Sequence, residues 1–320
     1  MAYNRRYEST YFSLNGRQYY LEIRDSKFTG TTRDCDLGAG GCQIHYDMDG
    51  EEKYSPIIAS KMDIPFIVKD AIDEQFIKNL LEDYNEEDVV VALYRGGSPG
   101  YSPLWSGYLL MDLGAQQDVS FPYEVKLTAT DGLGRLKDIG FWNDESAQQT
   151  YKHKGHQRVI YWLGQIINKI NPPGTSEGIS SDAKMTAAVN WYNELHQSAS
   201  TSFGPLYQTK IKMGMMENVD SSDTITVRNC YDVLTNICTT FGMRCIYWKH
   251  KFWFIQLDGY NTNESGTVTN PQNINTRTYT LADPPVHSAS NDYLGSTWWS
   301  RYNQTIENQL TPCRVIQKLA

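Results

Sequence analysis

The chain has 320 residues, enough for two or three domains, and 40% of them are apolar, enough for sizeable cores. The charged fraction of 21% contains no long charge run, which argues against a disordered chain, and the formal net charge of −8 argues against nucleic-acid binding as the main function. Aromatic residues make up 12%, with 22 Tyr and 8 Trp, a richness typical of sheets and of protein interfaces.

The first region is predicted to consist mainly of strands. Segments 9–14 and 18–24 flank Asn15-Gly16, a strong hairpin signal because both residues tolerate positive φ. Apolar residues alternate over 64–69, and Pro65 within this strand favours a position at a sheet edge. Helical spacing of apolar residues predicts a helix at 72–84. Further strands are predicted at 43–47, 88–95, 104–111 and 121–130.

The strand at 121–130 is predicted to end at Asp131-Gly132 and to turn into a short helix at 133–139. We place the first domain boundary directly after it. The domains predicted from the sequence are 1–140, a β-barrel or sandwich with one inserted helix; 141–222, a helical or mixed middle region; 223–282, a mixed α-β-β domain; and 283–320, an irregular C-terminal segment. The fold class is therefore α+β and rich in strands.

Helices are predicted at 155–171, ended by Pro172 and Pro173, and at 183–196. The clearest helical pattern of the chain spans 229–241. Asn229 is a good N-cap for this helix, and Gly242 is a good residue to follow its end. Strands at 244–248 and 252–257 complete the α-β-β unit, and a short strand is predicted at 279–281.

The six cysteines form no CxxC pair. Cys230 and Cys238 fall on the apolar face of a predicted helix, which favours buried free thiols, whereas Cys35 and Cys42 flank a Gly-rich loop and could pair. This usage is typical of a protein made in a reducing cytoplasm. The N-terminus lacks the apolar stretch of a signal peptide, and the apolar runs are too short to span a membrane, so we expect a soluble protein.

The sequence contains several incomplete motifs for metal or anion sites. His153 and His156 have a spacing that could share a metal, but Gly155 separates them and exposed histidines are favoured. The acidic segment 47–52 lacks the Gly and the bidentate Glu of a calcium loop, so it is predicted to be a β-turn. The Gly-rich segment 38–41 leads into a strand rather than a helix, which removes a helix N-terminus as a phosphate site. We therefore predict no metal and no cofactor.

Carboxylate pairs and tryptophans are the residues of this sequence that could act on or bind sugars. The carboxylate pairs Asp131 with Asp138 and Asp144 with Glu145 could flank a glycosidic bond, but nothing in the sequence fixes their separation across a cleft. Trp248 and Trp253 could stack on sugar rings, although core or interface packing is favoured for both. The predicted contacts for a partner or a glycan are Trp298, Trp299 and Tyr101, because adjacent tryptophans in an irregular segment cannot both face one side of a strand.

Several segments resemble tail proteins of phages and prophages, especially those of Bacteroidota-type hosts. The resemblance is carried by residues 91–95, 104–110, 122–139 and 229–255, with looser support from 55–58. Their order and spacing are similar to those of baseplate hub (tail-hub) proteins, which close the tail tube, and the resemblance covers about residues 11–257. These motifs are packing signatures rather than catalytic ones.

The resemblance implies a tail-tube-like β-barrel in the first region and assembly as a ring, often a trimer. It further implies contacts with the distal tail or tail tube protein on one side and with a spike, fibre or tape-measure protein on the other. DNA would meet such a ring only by passing through the tube, and the protein would reside in the virion after assembly in the host cytoplasm.

The sequence thus predicts a non-enzymatic structural subunit of a tail tip, with no membrane partner. A glycan-binding or receptor-binding tail module is the alternative, followed by a glycan-degrading tail enzyme.

Overall fold

The computed structural model describes residues 3–47, 55–96, 102–111, 119–141, 156–170, 184–189, 205–212, 217–219, 225–257 and 277–280. Over these residues the chain has the predicted fold class: a strand-rich α+β protein whose largest sheet is barrel-like and nearly closed.

The elements of the first region are, in chain order, β1 (Asn4–Phe12), β2 (Gln18–Asp25), β3 (Arg33–Asp34), β4 (Asp36–Leu37), β5 (Gln43–Tyr46), β6 (Ile57–Ile58), β7 (Ser60–Val68), α1 (Ala71–Glu82), β8 (Val89–Arg95), β9 (Ser102–Leu109) and β10 (Tyr123–Thr130), followed by a 3-10 helix at Leu133–Lys137. The elements after it are β11 (His156–Arg158), α2 (Val159–Ile170), β12 (Lys184–Ala188), α3 (Pro205–Gln208), β13 (Lys210–Lys212), β14 (Glu217–Val219), β15 (Ile225–Val227), α4 (Cys230–Thr240), β16 (Met243–Trp248), β17 (Lys251–Gln256) and β18 (Arg277–Thr280).

The barrel-like sheet has the strand order β3-β1-β2-β8-β9-β10-β7-β4, and β5 pairs beside β4 on β7. Its two ends meet in one short stretch of chain. β3 runs parallel to β1, and β4 runs antiparallel to β7. Only Cys35 separates β3 from β4 in the chain. The buried Cys35 donates its N–H to the carbonyl of Glu8 at 2.8 Å. Residues 33–37 therefore close the barrel, because they pair with both of its outermost long strands.

Helix α1 packs against the barrel core through Phe76. The Phe76 ring lies 5.1 Å from the ring of Tyr7 and 6.2 Å from that of Phe66. The Tyr7 hydroxyl donates to the carboxylate of Asp73 at 3.1 Å, so even the polar end of this core tyrosine is satisfied. Asp70 caps the helix by accepting from the backbone N–H groups of residues 72 and 73.

The second sheet has the order β18-β12-β17-β16-β6, and it shares chain with the barrel. β6 pairs in parallel with β16, and only Ala59 separates β6 from the barrel strand β7. The start of α4 and the residues just before it contribute further links: Cys230 N–H donates to the carbonyl of Ile139, and Phe141 N–H donates to that of Arg228. The barrel and the α-β-β unit therefore share backbone hydrogen bonds.

Several predicted local signals are confirmed. Gly16 in the β1–β2 turn has φ of +70°, and Gly242 after α4 has φ of +54°. Asn229 caps α4 by accepting the N–H of Asp232 at 2.7 Å. Cys230 and Cys238 are buried free thiols, and Cys35 and Cys42 are free thiols as well.

The predicted helix at 183–196 is wrong in its first part, because residues 184–188 form strand β12. This strand pairs with β17 on one side and β18 on the other, and these two ladders override the helix preference of Ala and Met. The predicted helix at 155–171 begins only at Val159, because residues 156–158 pair with β13.

Pro65 was predicted at a sheet edge, but β7 has neighbours on both sides. Pro65 pairs with Lys126 of β10, while on the other side it lies between the stretches of β7 that pair with β5 and with β4. The carbonyl of Pro65 accepts the N–H of Gly38 on that side. A proline fits this gap because a residue without an N–H removes no ladder bond there.

The close approach of β9 and β10 predicts that Gly107 cannot be replaced. A Cβ at Gly107 would clash with the backbone carbonyl of Thr130 and the indole of Trp105, whereas a Cβ at Gly134 would meet no atom within 4 Å. We expect Gly107→Ala to lower the free energy of unfolding by about 1–3 kcal/mol or more. The control Gly134→Ala should be neutral or slightly stabilising. Chemical denaturation of both variants measures this, and equal stabilities would contradict the packing described.

A buried polar junction as candidate functional site

The predicted contact residues Trp298, Trp299 and Tyr101 lie outside the described residues, as do Asp144 and Glu145. His153 lies outside them as well. Asp131 and Asp138 are both described, but Asp131 is buried whereas Asp138 is exposed. The structure therefore does not present Asp131 and Asp138 as two carboxylates facing one open cleft.

The structure instead brings together polar side chains that the sequence did not connect. Ser106 of β9 and Tyr247 of β16 place their hydroxyl oxygens 2.8 Å apart. Nδ1 of His250 lies 3.0 Å from each of these two oxygens. All three residues are at least 95% buried, so the barrel and the α-β-β unit meet through a desolvated hydrogen-bonded triangle. We call Ser106, Tyr247 and His250 the buried junction.

His250 reaches this position because of the turn between β16 and β17. Lys249 and His250 form the two-residue hairpin loop, with φ of +50° and +57°. Such loops favour Asn and Gly, since other residues lose roughly 1–3 kcal/mol in the left-handed region. The hydrogen bonds and burial of the His250 ring offset that strain. The hairpin loop is thus shaped by the barrel on which it packs.

A second polar cluster lies where β7 begins and β10 ends. The carboxylate of Asp131 accepts the N–H of Ser60 at 2.6 Å, its hydroxyl at 2.8 Å and the N–H of Leu133 at 2.9 Å. The indole N–H of Trp105 donates to Ser60 Oγ at 2.9 Å, and its ring lies 6.4 Å from that of Tyr247. Trp105 thereby connects the Asp131 cluster with the buried junction.

Burial shifts the pKa values of His250 and Asp131 in opposite directions. Burial, together with the charge of Lys251, lowers the pKa of His250 to about 4, so the imidazole is neutral at pH 7. No group among the described residues accepts a hydrogen bond from its Nε2, so no hydrogen bond stabilises the doubly protonated, charged ring. Burial raises the pKa of Asp131 to about 6, although three hydrogen bonds favour its charged form.

The junction contains a serine and a histidine, the residue types of a hydrolase nucleophile and base. A nucleophile must reach a substrate, but the Ser106 hydroxyl is sealed between two packed units, with 2% of the residue exposed. The carboxylate nearest in this network, Asp131, bonds to Ser60 rather than to His250. The geometry is therefore that of a packing contact, in which the two hydroxyls and Nδ1 of His250 bond to each other.

Sequence reasoning missed the junction because Ser106 and His250 are 144 positions apart. One local signal was available: a hairpin loop of Lys-His, without Gly or Asn, indicates that something outside the loop holds it. The exposed end of this hairpin is Trp248, which is 42% exposed, while Tyr46 donates its hydroxyl to the carbonyl of Tyr247 at 3.2 Å. Trp248 was predicted to pack in a core or an interface. Within this chain it is not a core residue, because it remains 42% exposed.

Among the described residues no group of three His, Cys, Asp or Glu could hold a metal ion. In the same part of the chain, no helix combines the length and the apolar content that crossing a membrane requires.

Comparison with known proteins gives no family for this chain. No family model matches it, and no curated protein matches it at a significant level.

The lowered pKa of His250 predicts how its contribution to stability changes with pH. The unfolded chain binds a proton near pH 6.5 and the folded chain only near pH 4. The stability that His250 contributes is therefore present above pH 6.5 and is lost as the pH falls to about 4, at about 1.4 kcal/mol per pKa unit. Urea denaturation of wild type and His250→Asn, which keeps a residue tolerant of positive φ, should give stabilities that converge as the pH is lowered.

The control is His45→Asn, the same substitution at an exposed position of β5. A difference between wild type and His250→Asn that stays constant from pH 7 to pH 4 would contradict the buried neutral imidazole.

The raised pKa of Asp131 predicts that stability depends on pH in the opposite direction. Its folded pKa of about 6 lies above the ordinary value of 3.8, so wild type gains stability relative to Asp131→Asn as the pH falls from about 6 to about 4. At pH 7 the variant still loses stability, because an amide has one acceptor oxygen and its NH2 group must face either Ser60 or the N–H of Leu133, which are both donors. Asp138→Asn on the exposed side of the 3-10 helix is the matched control, and equal pH profiles for the two variants would rule out a buried Asp131.

Proposed function

We propose that this chain is a structural subunit of a phage-type tail tip, a baseplate hub protein that forms a homo-oligomeric ring, with a trimer as the expected form. In this proposal the barrel domain contacts the distal tail or tail tube protein, and the other end of the ring contacts a spike, fibre or tape-measure protein. The sequence resemblance described above supports the family. The protein would act mechanically and reside in the virion.

The observation that carries the proposal is the pattern of exposed large apolar side chains. Eight of them are found in the described residues, and four of these lie two positions apart in the chain, Phe12 with Leu14 and Val119 with Phe121. The other four are Tyr46 on β5, Ile72 and Leu81 on α1, and Trp248 at the end of β16. Single exposed apolar residues are ordinary, but close ones such as Phe12 and Leu14 are typical of surfaces that partners cover.

The hairpin between β1 and β2 gives the clearest case. Phe12 is 66% exposed and Leu14 is fully exposed, although Phe12 belongs to β1, which pairs with β2 along its length. Burying such a side chain on association contributes about 1.5–3 kcal/mol before the costs of binding. In the proposed assembly this hairpin contacts a neighbouring tail subunit.

A second line of support concerns the polar residues. Ser106 and His250 form a hydrogen bond that holds the two units together, and Asp131 accepts hydrogen bonds that fix the start of β7 within the barrel. A protein whose reactive side chains stabilise an internal junction fits a mechanical role, in which the two units must not separate under load.

Sedimentation velocity of the purified chain tests the proposal. We expect a concentration-dependent oligomer, alone or after addition of its neighbouring tail proteins. The double variant Phe12→Ser and Leu14→Ser should weaken assembly by about tenfold or more, since it removes apolar area equivalent to more than 1.4 kcal/mol. Its melting temperature should stay unchanged because both side chains are exposed in the folded monomer.

The control is Thr10→Ser with Arg17→Lys, which alters the same hairpin without changing its apolar surface. A chain that remains monomeric at high concentration, and that forms no ring with its tail neighbours, would exclude the proposed function.

A further inference from the structure

The hairpin tip of the α-β-β unit carries an apolar ring beside two positive charges. Trp248 is 42% exposed, and the ammonium group of Lys249 lies 4.2 Å from the centre of its ring. Lys249 and Lys251 form no ion pair within the described residues. The buried His250 holds the loop between them in a fixed conformation. We call Trp248, Lys249 and Lys251 the basic tip.

The end of α1 carries the opposite combination. Leu81 is 44% exposed, and the neighbouring Glu82 and Asp83 are exposed as well. Neither carboxylate forms an ion pair within the described residues. Two cations lie nearby: Lys78 pairs with the carboxylate of Glu74, and Lys27 pairs with that of Asp88 while it also donates to the backbone carbonyl of Asp83 at 2.7 Å. We call Leu81, Glu82 and Asp83 the acidic end.

The acidic end is unfavourable for the helix that carries it. The C-terminus of a helix has a partial negative charge, so carboxylates there repel it and basic residues stabilise it. The last turn of α1 contains no basic residue, and two acids lie at its end, where Lys27 donates to the backbone carbonyl of Asp83. The carboxylates of Glu82 and Asp83 remain without an ion pair within the described residues, so they are available to a contact outside the helix.

The two surfaces match in chemistry. Each has one large exposed apolar side chain beside two unpaired charges, and the charges have opposite sign. We propose that the acidic end of a second copy of this chain docks on the basic tip, which gives a heterologous contact between neighbouring subunits. This inference rests on the proposed function, because contacts between two different surfaces of one chain close into rings when the rotation permits.

The occupant is assigned to a second copy by charge. A chain with a net charge of −8 repels its own copies on most faces, so a local basic surface decides where they can meet. Exposed ion pairs contribute little individually, but opposite charges beside a shared apolar contact set register and association rate. Association should therefore weaken with rising ionic strength.

Mass photometry and sedimentation of the full chain at low and high salt test the inference. The tip variant Lys249→Glu with Lys251→Glu should lower the apparent association constant by about tenfold or more. The helix variant Glu82→Lys with Asp83→Lys should do the same, while its melting temperature rises because the helix end gains favourable charges. The chain that carries all four changes should regain association, since the two surfaces again have opposite signs.

The matched control is Lys61→Glu with Lys126→Glu, which makes the same change in net charge on the outer barrel face. Its association should fall less than that of the tip variant.

The outcomes separate this inference from the proposed function. If wild type assembles and the tip variant assembles equally well, the assigned surface is wrong and the ring proposal stands. If the tip variant is monomeric but the fourfold variant does not recover, the basic tip contacts something other than the acidic end. If wild type itself never assembles, alone or with its tail neighbours, both proposals are overturned.

Discussion

The arrangement of this protein depends on how the barrel receives the hairpin of the α-β-β unit. The ring of His250 bonds to both Ser106 and Tyr247, and the three polar groups are buried from water and bond to each other. A buried polar group that loses its partner costs about 1–3 kcal/mol, whereas a satisfied group costs little. The contact therefore stabilises one docking geometry more than its alternatives, because any slip between the two units would leave a buried hydroxyl or Nδ1 of His250 without a partner, as Nε2 already is among the described residues.

Backbone pairing also fixes how the α-β-β unit packs on the barrel. β6 pairs with β16, and after one further residue the chain enters β7 of the barrel, so the two sheets share a continuous piece of chain. Ser60, the first residue of β7, is held by Asp131 and by Trp105. A displacement of the α-β-β unit would thus pull on β7 directly. The side-chain junction and the shared strand are two constraints on one interface, and each is effective because the other is present.

The sequence predicted those elements whose signals are local. The hairpin at Asn15-Gly16, helix α1 and helix α4 each have their own caps, turns and apolar spacing, and the structure contains all three. Strand β12 was missed because its character comes from pairing with β17 and β18, which no local pattern encodes. The closure of the barrel by residues 33–37 escaped for the same reason: two strands of two residues each are too short to have a period. The junction was missed because its members come from distant parts of the chain.

The places where local preference is violated are the most informative about function. Lys249 and His250 adopt a backbone suited to glycine, and Glu82 and Asp83 lie at the wrong end of a helix for their charge. Natural sequences agree with their fold at most positions and depart from it where another demand applies. For His250 that demand is visible, since its ring completes the junction. For the carboxylates of Glu82 and Asp83 no ion pair lies within the described residues, and the proposed contact with a second copy would supply one.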